Sequence, residues 1–350
     1  MSLLKNKKNS SLSDELLNLT IVVIAAILVV LLVATTYITA FCITRGVGTS
    51  GKNDDSISAS KDASYPFKQN IAVSEPQYDD NTSHILSSDE IASGFALLVD
   101  LTDGKVVASR KYNTVIYPAS MTKVMTLIVV IENLPYESSM DDVITISKEV
   151  VDEMAAERSS GYGFKAGEKL TVRELLYAAI LQSDGVACLE LAKYVAGSEK
   201  DFVKLMNAKA VEMGLQSTNF TNCTGLHSAS HFSTCKEIAM IMEYAMKNTH
   251  CANILTAKSH VLSKNFRDKN NTYILYHATL ANKLDTLKPK FTTVDLLGAK
   301  SGWTGADSGY CLVSYAEGNN GHKYVLVTAN APTSNESIYD MANIYNSYAK

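Results

Sequence analysis

The sequence lacks the cysteine patterns that define a metal site or a disulfide-stabilised scaffold. Its six cysteines, at positions 42, 188, 223, 235, 251 and 311, form no C-x-x-C pair. Five of them follow the first apolar segment, and an odd number does not indicate a disulfide framework. Their spacing does not match a zinc site either. We therefore expect most of these side chains to be small, buried hydrophobes.

A strong charge of either sign is also missing. The chain carries 32 Lys and Arg against 36 Asp and Glu, which gives a formal net charge of −4. Nothing in this balance indicates a nucleic-acid partner, and it does not identify an acidic or basic substrate. With 46% hydrophobic and 19% charged residues, the composition is that of a globular protein.

The sequence does contain one long uncharged segment near its start. Residues 19–43, "LTIVVIAAILVVLLVATTYITAFCI", carry no charged side chain, and this length is enough to span a bilayer as a helix. Lysines at positions 5, 7 and 8 precede it, so residues 1–18 are predicted to be a cytoplasmic tail and everything after Arg45 to lie on the outer side of the cell membrane. A cleaved signal peptide is the alternative, but the apolar run is longer than a usual signal core.

Two regions of different composition follow the predicted transmembrane helix. Residues 44–88 are polar and lack periodicity, which predicts a flexible linker. Residues 89–350 begin with strand-like runs, "GFALLVD" and "KVVASR", continue through a mostly helical middle, and return to strands at "VDLLGAKSG", "GYCLVSYAEG" and "HKYVLVTANAP" before a last helix. This order predicts an α+β domain whose sheet is completed by segments distant in sequence.

The pattern S-x-x-K recurs in the chain, with copies beginning at Ser2, Ser58, Ser120 and Ser233. The first two copies fall in the tail and the linker, where a serine and a lysine cannot be held in a reactive arrangement. Ser120 lies at the start of a predicted helix, "PASMTKVMTLIVVIENL", where free backbone N–H groups stabilise a developing anion. Lys123, three residues later, shares its helix face. The alternative is an N-cap serine beside an ordinary surface lysine.

Two further segments join this pattern. "LQSDGVAC" places Ser183 in a tight turn between two helical runs, although it can equally be a helix C-cap with Gly185 in the left-handed conformation. "GAKSGWTG" places Lys300 and Ser301 at the end of a strand, either as a surface hairpin or as a site where a ligand approaches the backbone of Gly302. The order S-x-x-K, S-x-x, K-S-G on helix, turn and strand is typical of serine β-lactamases and penicillin-binding proteins.

From about residue 91 to the end, the chain resembles the low-molecular-weight penicillin-binding proteins that are serine-type D-alanyl-D-alanine carboxypeptidases, peptidase family S11. The similarity is densest in "YPASMTKVMT", in "GEKLTVRELLYAAILQSDGVACLELAKYVAGS", in residues 202–240 and in "GAKSGWTGADSGYCLV". It implies a penicillin-binding-protein/β-lactamase-like transpeptidase domain: an antiparallel sheet with helices on its faces and a helical subdomain. The S-x-x-K copy at Ser233 and Lys236 lies within the region of similarity, but it is not one of the three motifs that define the family site.

The resemblance implies a covalent mechanism. Ser120 would attack the carbonyl between two D-alanines of a peptidoglycan stem peptide, and Lys123 would take its proton. Ser183 would lie near the Lys123 amine and help relay the proton to the leaving D-alanine. Water would then hydrolyse the acyl-enzyme. β-Lactams would acylate Ser120 as substrate mimics, and the resemblance implies no metal or organic cofactor.

It also implies the binding residues. Lys300 and Ser301 would hold the terminal carboxylate of the substrate beside Gly302, because a cation and a hydroxyl suit that task. The backbone N–H groups of Ser120 and Trp303 would form the oxyanion hole.

The chain departs from the family pattern chiefly at Gly185, where the family usually carries the Asn of S-x-N. The K-S-G motif replaces K-T-G but keeps the hydroxyl. Many relatives also carry a β-rich domain and a C-terminal membrane helix, whereas an N-terminal anchor is expected here.

Gly185 motivates one alternative, a degenerate homologue that binds stem peptides as a sensor or scaffold. Another is a β-lactamase, which needs a Glu to position water; Glu212 is the nearest candidate, although its pattern favours a solvated helix face.

Overall fold

The computed structural model describes residues 71–263, 267, 272–276 and 280–350. The predicted cytoplasmic tail and transmembrane helix, and most of the predicted linker, lie outside these residues. Within them, no helix combines the length and the apolar character needed to cross a membrane.

The strands of the described residues occur in groups at the start, middle and end of the chain. In chain order they are β1 (His84–Ile85), β2 (Phe95–Asp100), β3 (Lys105–Arg110), β4 (Val115–Ile116), β5 (Val143–Thr145), β6 (Lys169–Thr171), β7 (Ser233–Thr234), β8 (Ser259–Val261), β9 (Ile274–Tyr276), β10 (Val294–Gly302), β11 (Tyr310–Gly318) and β12 (Lys323–Ala331).

The helices of the described residues lie mainly between β4 and β10. They are α1 (Lys123–Glu132), α2 (Lys148–Ala156), α3 (Val172–Leu181), α4 (Gly185–Ala196), α5 (Glu199–Glu212), α6 (Cys235–Lys247), α7 (Thr249–Leu255), α8 (Leu280–Leu287) and α9 (Ser334–Tyr348). Two 3₁₀ helices, Ala119–Thr122 and Glu137–Asp141, complete the set.

Six strands form the main sheet, in the order β1-β3-β2-β12-β11-β10. β1 pairs with β3 in parallel, and the other neighbours are antiparallel. The pairing of β2 with β12 sets Leu98 opposite Leu326, so the two ends of the domain meet in one sheet, as the sequence predicts. β1 lies within the span predicted as linker; a two-residue edge strand pairing only with β3 leaves no periodic signal in sequence.

Both faces of the sheet are covered, because successive strand residues point to opposite sides. Leu97 and Val99 of β2 join a core with α1, α3, α4 and α6. Ala96 and Leu98 join a second core with Met341 of α9. This arrangement agrees with the predicted α+β architecture of a sheet with helices on its faces and a helical subdomain.

Helix α1 runs through the centre of the helical region. Every residue from Lys123 to Ile131 is buried, so this helix exposes no face to solvent over most of its length. The lysine at its first position is therefore enclosed by protein instead of extending into water.

Candidate active site

Ser120 lies in the 3₁₀ turn Ala119–Thr122, immediately before α1. The α-helix therefore begins at Lys123, about one turn after the start of the helix that the sequence predicts. Ala119 has a φ of 48°, which is the left-handed region that only a few non-glycine residues adopt. Two glycines pack against this turn. A Cβ at Gly225 would lie 2.0 Å from Ala119 O, and a Cβ at Gly302 would lie 2.7 Å from Ser120 N. Both positions therefore need glycine so that their backbones can approach the serine.

The Lys123 amine is held beside the Ser120 hydroxyl. Lys123 Nζ lies 3.1 Å from Ser120 Oγ and 2.6 Å from the carbonyl oxygen of Thr224. Its side chain is only 2% exposed, and burial lowers the pKa of its amine because desolvation disfavours the charged form. A neutral amine can donate to Thr224 O and use its lone pair to accept the Ser120 proton.

A loop that the sequence did not single out fixes the Thr224 carbonyl. Asn222 Oδ1 accepts hydrogen bonds from the backbone N–H groups of Thr224 and Gly225 at 3.2 and 2.7 Å. Thr126 Oγ1 of α1 donates to Cys223 O at 2.6 Å. Asn and Gly three residues apart are a turn signal, and this is the pattern by which "NCTG" can be recognised in the sequence.

A second serine and lysine form a pair across the site. Lys300 Nζ, on β10, donates to Ser183 Oγ at 3.0 Å and to Ser301 O at 2.7 Å. The Lys300 side chain is 1% exposed, and burial together with the nearby Lys123 ammonium lowers the pKa of its amine well below the usual lysine value. The resemblance implies that Ser183 lies near the Lys123 amine; in the structure the Ser183 hydroxyl accepts a hydrogen bond from Lys300.

The turn that carries Ser183 differs from the C-cap alternative. Ser183 itself has the left-handed φ, 54°, whereas Gly185 is the first residue of α4. Asp184 is the N-cap of that helix; its carboxylate accepts from the N–H groups of Ala187 at 2.8 Å and Tyr162 at 2.6 Å. Burial raises the pKa of Asp184 despite these hydrogen bonds. The carboxylate is thus occupied in holding the turn.

The space beside Gly185 is filled by Met154 of α2 and by Ser159 of the loop that follows this helix. A Cβ at Gly185 would lie 2.1 Å from Ser159 Oγ and 2.8 Å from Met154 Sδ. The Gly185 N–H also donates to Ser160 O at 3.0 Å. The Asn usual in the family would therefore not fit here unless the side chains of Ser159 and Met154 moved.

Ser120 lies at the junction of two cavities. One, of about 260 Å³, is lined by Ser183, by Ser301 and Gly302 of β10, and by residues of β11 and α9. The other, of about 450 Å³, is lined by Lys123 and by the loops 157–160 and 224–227. Trp303 borders both cavities; the residue is 56% exposed, and its ring stacks on Tyr310 with centroids 5.9 Å apart.

Other candidate groups lie away from these cavities. Glu212 lines a separate cavity with Met213 and Tyr244, so the carboxylate considered for a β-lactamase is not beside Ser120. Asp100, Asp103 and His322 place ligand atoms within 4.8 Å of one another, but none of the three lines either cavity. The five cysteines at positions 188, 223, 235, 251 and 311 are free and buried.

The sheet, the helical region and the two serine–lysine pairs define the class of protein, a penicillin-binding-protein-like transpeptidase domain. A sequence profile of the family described as Peptidase_S11, D-alanyl-D-alanine carboxypeptidase, matches residues 82–333. The chain therefore belongs to the S11 family of D-alanyl-D-alanine carboxypeptidases, as the motifs indicated.

Individual relatives agree with this assignment. D-alanyl-D-alanine carboxypeptidase DacF of Bacillus subtilis is 31% identical over 64% of this chain and 54% of the relative. DacC of Escherichia coli is 31% identical over 63% of this chain and 52% of the relative. The chain thus spans about half the length of these curated relatives. The crystal structure of the Streptomyces K15 DD-transpeptidase is similar with a TM-score of 0.63 and 26% identity, over 73% of this chain and 96% of that one.

Proposed function

We propose that the protein is a serine-type D-alanyl-D-alanine carboxypeptidase that removes the terminal D-alanine from peptidoglycan stem pentapeptides. One observation carries this proposal: a buried lysine with a lowered pKa lies within hydrogen-bond distance of a serine at the junction of two cavities. A desolvated amine loses its proton more readily and can act as a general base, and a serine needs such a base to become a nucleophile.

In the first step Ser120 Oγ bonds to the carbonyl carbon of the penultimate D-alanine while its proton passes to Lys123 Nζ. The backbone N–H groups of Ser120 and Trp303 hold the oxygen that becomes negative. The C–N bond then breaks, the leaving D-alanine nitrogen takes a proton through Ser183, and an ester on Ser120 remains. Water attacks that ester, with Lys123 again accepting a proton, and releases the shortened peptide.

Lys300 has a different role in this proposal. Lys300 and Lys123 are both buried, and both have lowered pKa values chiefly because burial disfavours the charged amine; the nearby Lys123 lowers the pKa of Lys300 further. A substrate carboxylate in the cavity of Ser301 would favour the charged form of Lys300. Substrate binding would thus place the positive charge on Lys300 and leave Lys123 neutral as the base.

We also propose that residues 19–43 anchor the chain in the cell membrane as a single uncleaved helix, with the catalytic domain outside. The uncharged length of this segment and the lysines before it support the proposal. A tag placed before residue 1 should stay with the membrane-bound protein. Loss of the tag from the mature chain would instead indicate a cleaved signal peptide.

The activity is tested with the purified full-length chain and a stem pentapeptide that ends in two D-alanines. We expect release of free D-alanine by the unsubstituted chain and none by Ser120→Ala. Binding of the peptide without release would favour the sensor alternative. Rapid turnover of a chromogenic cephalosporin, in place of a long-lived acyl-enzyme, would favour the β-lactamase.

A further inference from the structure

His231 packs against the turn that carries Ser120, although the sequence analysis did not single it out. It lies in the loop before β7 and is 2% exposed. Its Nε2 is 2.8 Å from Oγ1 of Thr122, the last residue of the 3₁₀ turn. His231 lines neither of the two cavities at the site, so it can influence the reaction only through its neighbours.

The other nitrogen of the ring contacts the loop that positions Lys123. The backbone N–H of Thr221 donates to His231 Nδ1 at 3.1 Å. Thr221 begins the loop 221–225, and the Thr224 carbonyl of this loop accepts from Lys123 Nζ at 2.6 Å. One imidazole therefore joins the turn of the nucleophile to the loop that holds the base.

The hydrogen bond from Thr221 assigns the tautomer of the ring. Because Nδ1 accepts, the proton of the neutral ring lies on Nε2, which donates to Thr122 Oγ1. Burial, followed by the nearby Lys123 and His227, lowers the pKa of His231 to about 4, since desolvation disfavours the charged ring. His231 is therefore neutral at physiological pH, as an acceptor at Nδ1 requires.

Thr122 makes this long-range hydrogen bond in place of a local one. It is the N-cap of α1, yet its side chain makes no capping hydrogen bond. A threonine at an N-cap usually satisfies a free N–H group of the first helical turn with its hydroxyl. Here the hydroxyl bonds to His231, 109 positions away. The start of α1 is thus fixed to a distant part of the chain.

We propose that His231 is a positioning residue for the general base Lys123. By joining the turn of Ser120 to the loop 221–225, the neutral imidazole holds the two partners of the Lys123 amine at a fixed separation. Ser120 Oγ and Thr224 O then stay within hydrogen-bond distance of Lys123 Nζ together. This inference rests on the function proposed above and adds to it a residue that does not touch the substrate.

The first test is spectroscopic and uses the unsubstituted full-length chain with ¹⁵N in its histidine rings. At about pH 5.5, where an ordinary histidine is mostly charged, we expect His231 to have a proton on Nε2 and none on Nδ1. Its signals are assigned through the backbone. A charged His231 ring at this pH, or a proton on Nδ1, would overturn the inference, even if no variant folds.

The second test is kinetic, because loss of positioning should slow acylation without weakening binding. His231→Leu removes both hydrogen bonds of the ring. We expect its rate of acylation by a fluorescent penicillin to fall about 10–100-fold, as for a misplaced catalytic group, with KM for the stem pentapeptide within about threefold. His231→Gln keeps a donor for Thr122 and should recover part of the rate.

The matched control is Asn248→Ala, which removes a fully buried N-cap side chain at α7, outside both cavities. It should lower the denaturant midpoint but leave the acylation rate unchanged. An equal loss of rate in this control would mean that the effect of His231→Leu is one of general stability, and would overturn the inference. An unchanged rate in folded His231→Leu would overturn it as well.

A double variant tests whether His231 acts through Thr122. Thr122→Val and His231→Leu together should slow acylation by less than the product of their separate effects, because both break the same contact. Effects that multiply fully would contradict the inference while the unsubstituted chain remains active. If the unsubstituted chain releases no D-alanine and is not acylated by penicillin, the proposed function itself fails, and this inference fails with it.

Discussion

The two serine–lysine pairs at the site have similar distances but different surroundings. Lys123 Nζ lies 3.1 Å from Ser120 Oγ, and Lys300 Nζ lies 3.0 Å from Ser183 Oγ. The first pair is local, three residues apart at the start of a buried helix. The second is assembled from residues 117 positions apart, on a turn and a strand.

This difference suggests that the two pairs have different roles in the reaction. The second contact of Lys123 is a carbonyl held by the Asn222 loop, an uncharged acceptor, which suits a neutral base. Lys300 Nζ donates to Ser183 Oγ, and Ser183 lines a cavity with Ser301 and Gly302, where a carboxylate can restore the charge of Lys300. One lysine is thus suited to proton transfer and the other to binding, and the four predictions below test that division.

The largest effect is expected from the loss of the first lysine. Lys123→Met should lower the rate of acylation of Ser120 about 10²–10⁴-fold, the usual contribution of a general base. The change should appear in kcat with little change in KM. The matched control is Lys236→Met, from another S-x-x-K copy, whose lysine pairs with Glu75. A similar loss in both variants would contradict a special role for Lys123.

The second lysine should affect binding more than turnover. Lys300→Met removes the cation proposed to hold the substrate carboxylate, and we expect KM to rise about 10–100-fold, the value of a charge-assisted hydrogen bond. Steady-state kinetics with the stem pentapeptide measure this. If Lys300→Met lowers kcat as much as Lys123→Met does while KM stays constant, the proposed division between the pairs is wrong.

Gly185 begins the helix that follows the Ser183 turn, and its substitution should reduce the stability of the protein. The Cβ of Gly185→Asn would lie 2.1 Å from Ser159 Oγ, so we expect a loss of about 1–3 kcal/mol in the free energy of unfolding, the usual cost of overpacking. Restoring the family Asn should not raise activity. Adding Ser159→Gly should recover part of the stability. Denaturant unfolding checks both variants, and an unchanged midpoint for Gly185→Asn would refute this packing.

The smallest effect concerns pH. The active form of Lys123 is the unprotonated amine, and burial lowers its pKa below the usual 10.5. The acylation rate should therefore rise with pH, by at most about tenfold per unit, and level off at a midpoint below that value. Acylation by a fluorescent penicillin, corrected for its spontaneous hydrolysis, gives the profile. A midpoint at the ordinary lysine value would mean that the amine is not desolvated in solution.

The features that the sequence predicted are those with local signals. The hairpin of β2 and β3, the helix that follows Ser120 and the three late strands agree with period-two and helical patterns. The order of the three short motifs predicted that Ser120, Lys123, Ser183 and Lys300 share one site. Each motif requires particular residue types at a stretch of backbone that borders this site.

What the sequence could not provide depends on packing between distant segments. The pairing of Ser183 with Lys300 follows from the left-handed conformation of Ser183, which a polar S-D-G turn does not specify. The role of Thr224 as acceptor for Lys123, and the loop that fills the space at Gly185, arise only when the helices assemble. β1 is too short for its pattern to differ from that of a linker.

The identity of the nucleophile is the central claim, and mass spectrometry of the penicillin-treated full-length chain tests it most directly. The account predicts one penicilloyl adduct, on the proteolytic fragment that contains Ser120, and no adduct in Ser120→Ala. An adduct on Ser183, or one that persists in Ser120→Ala, would contradict it.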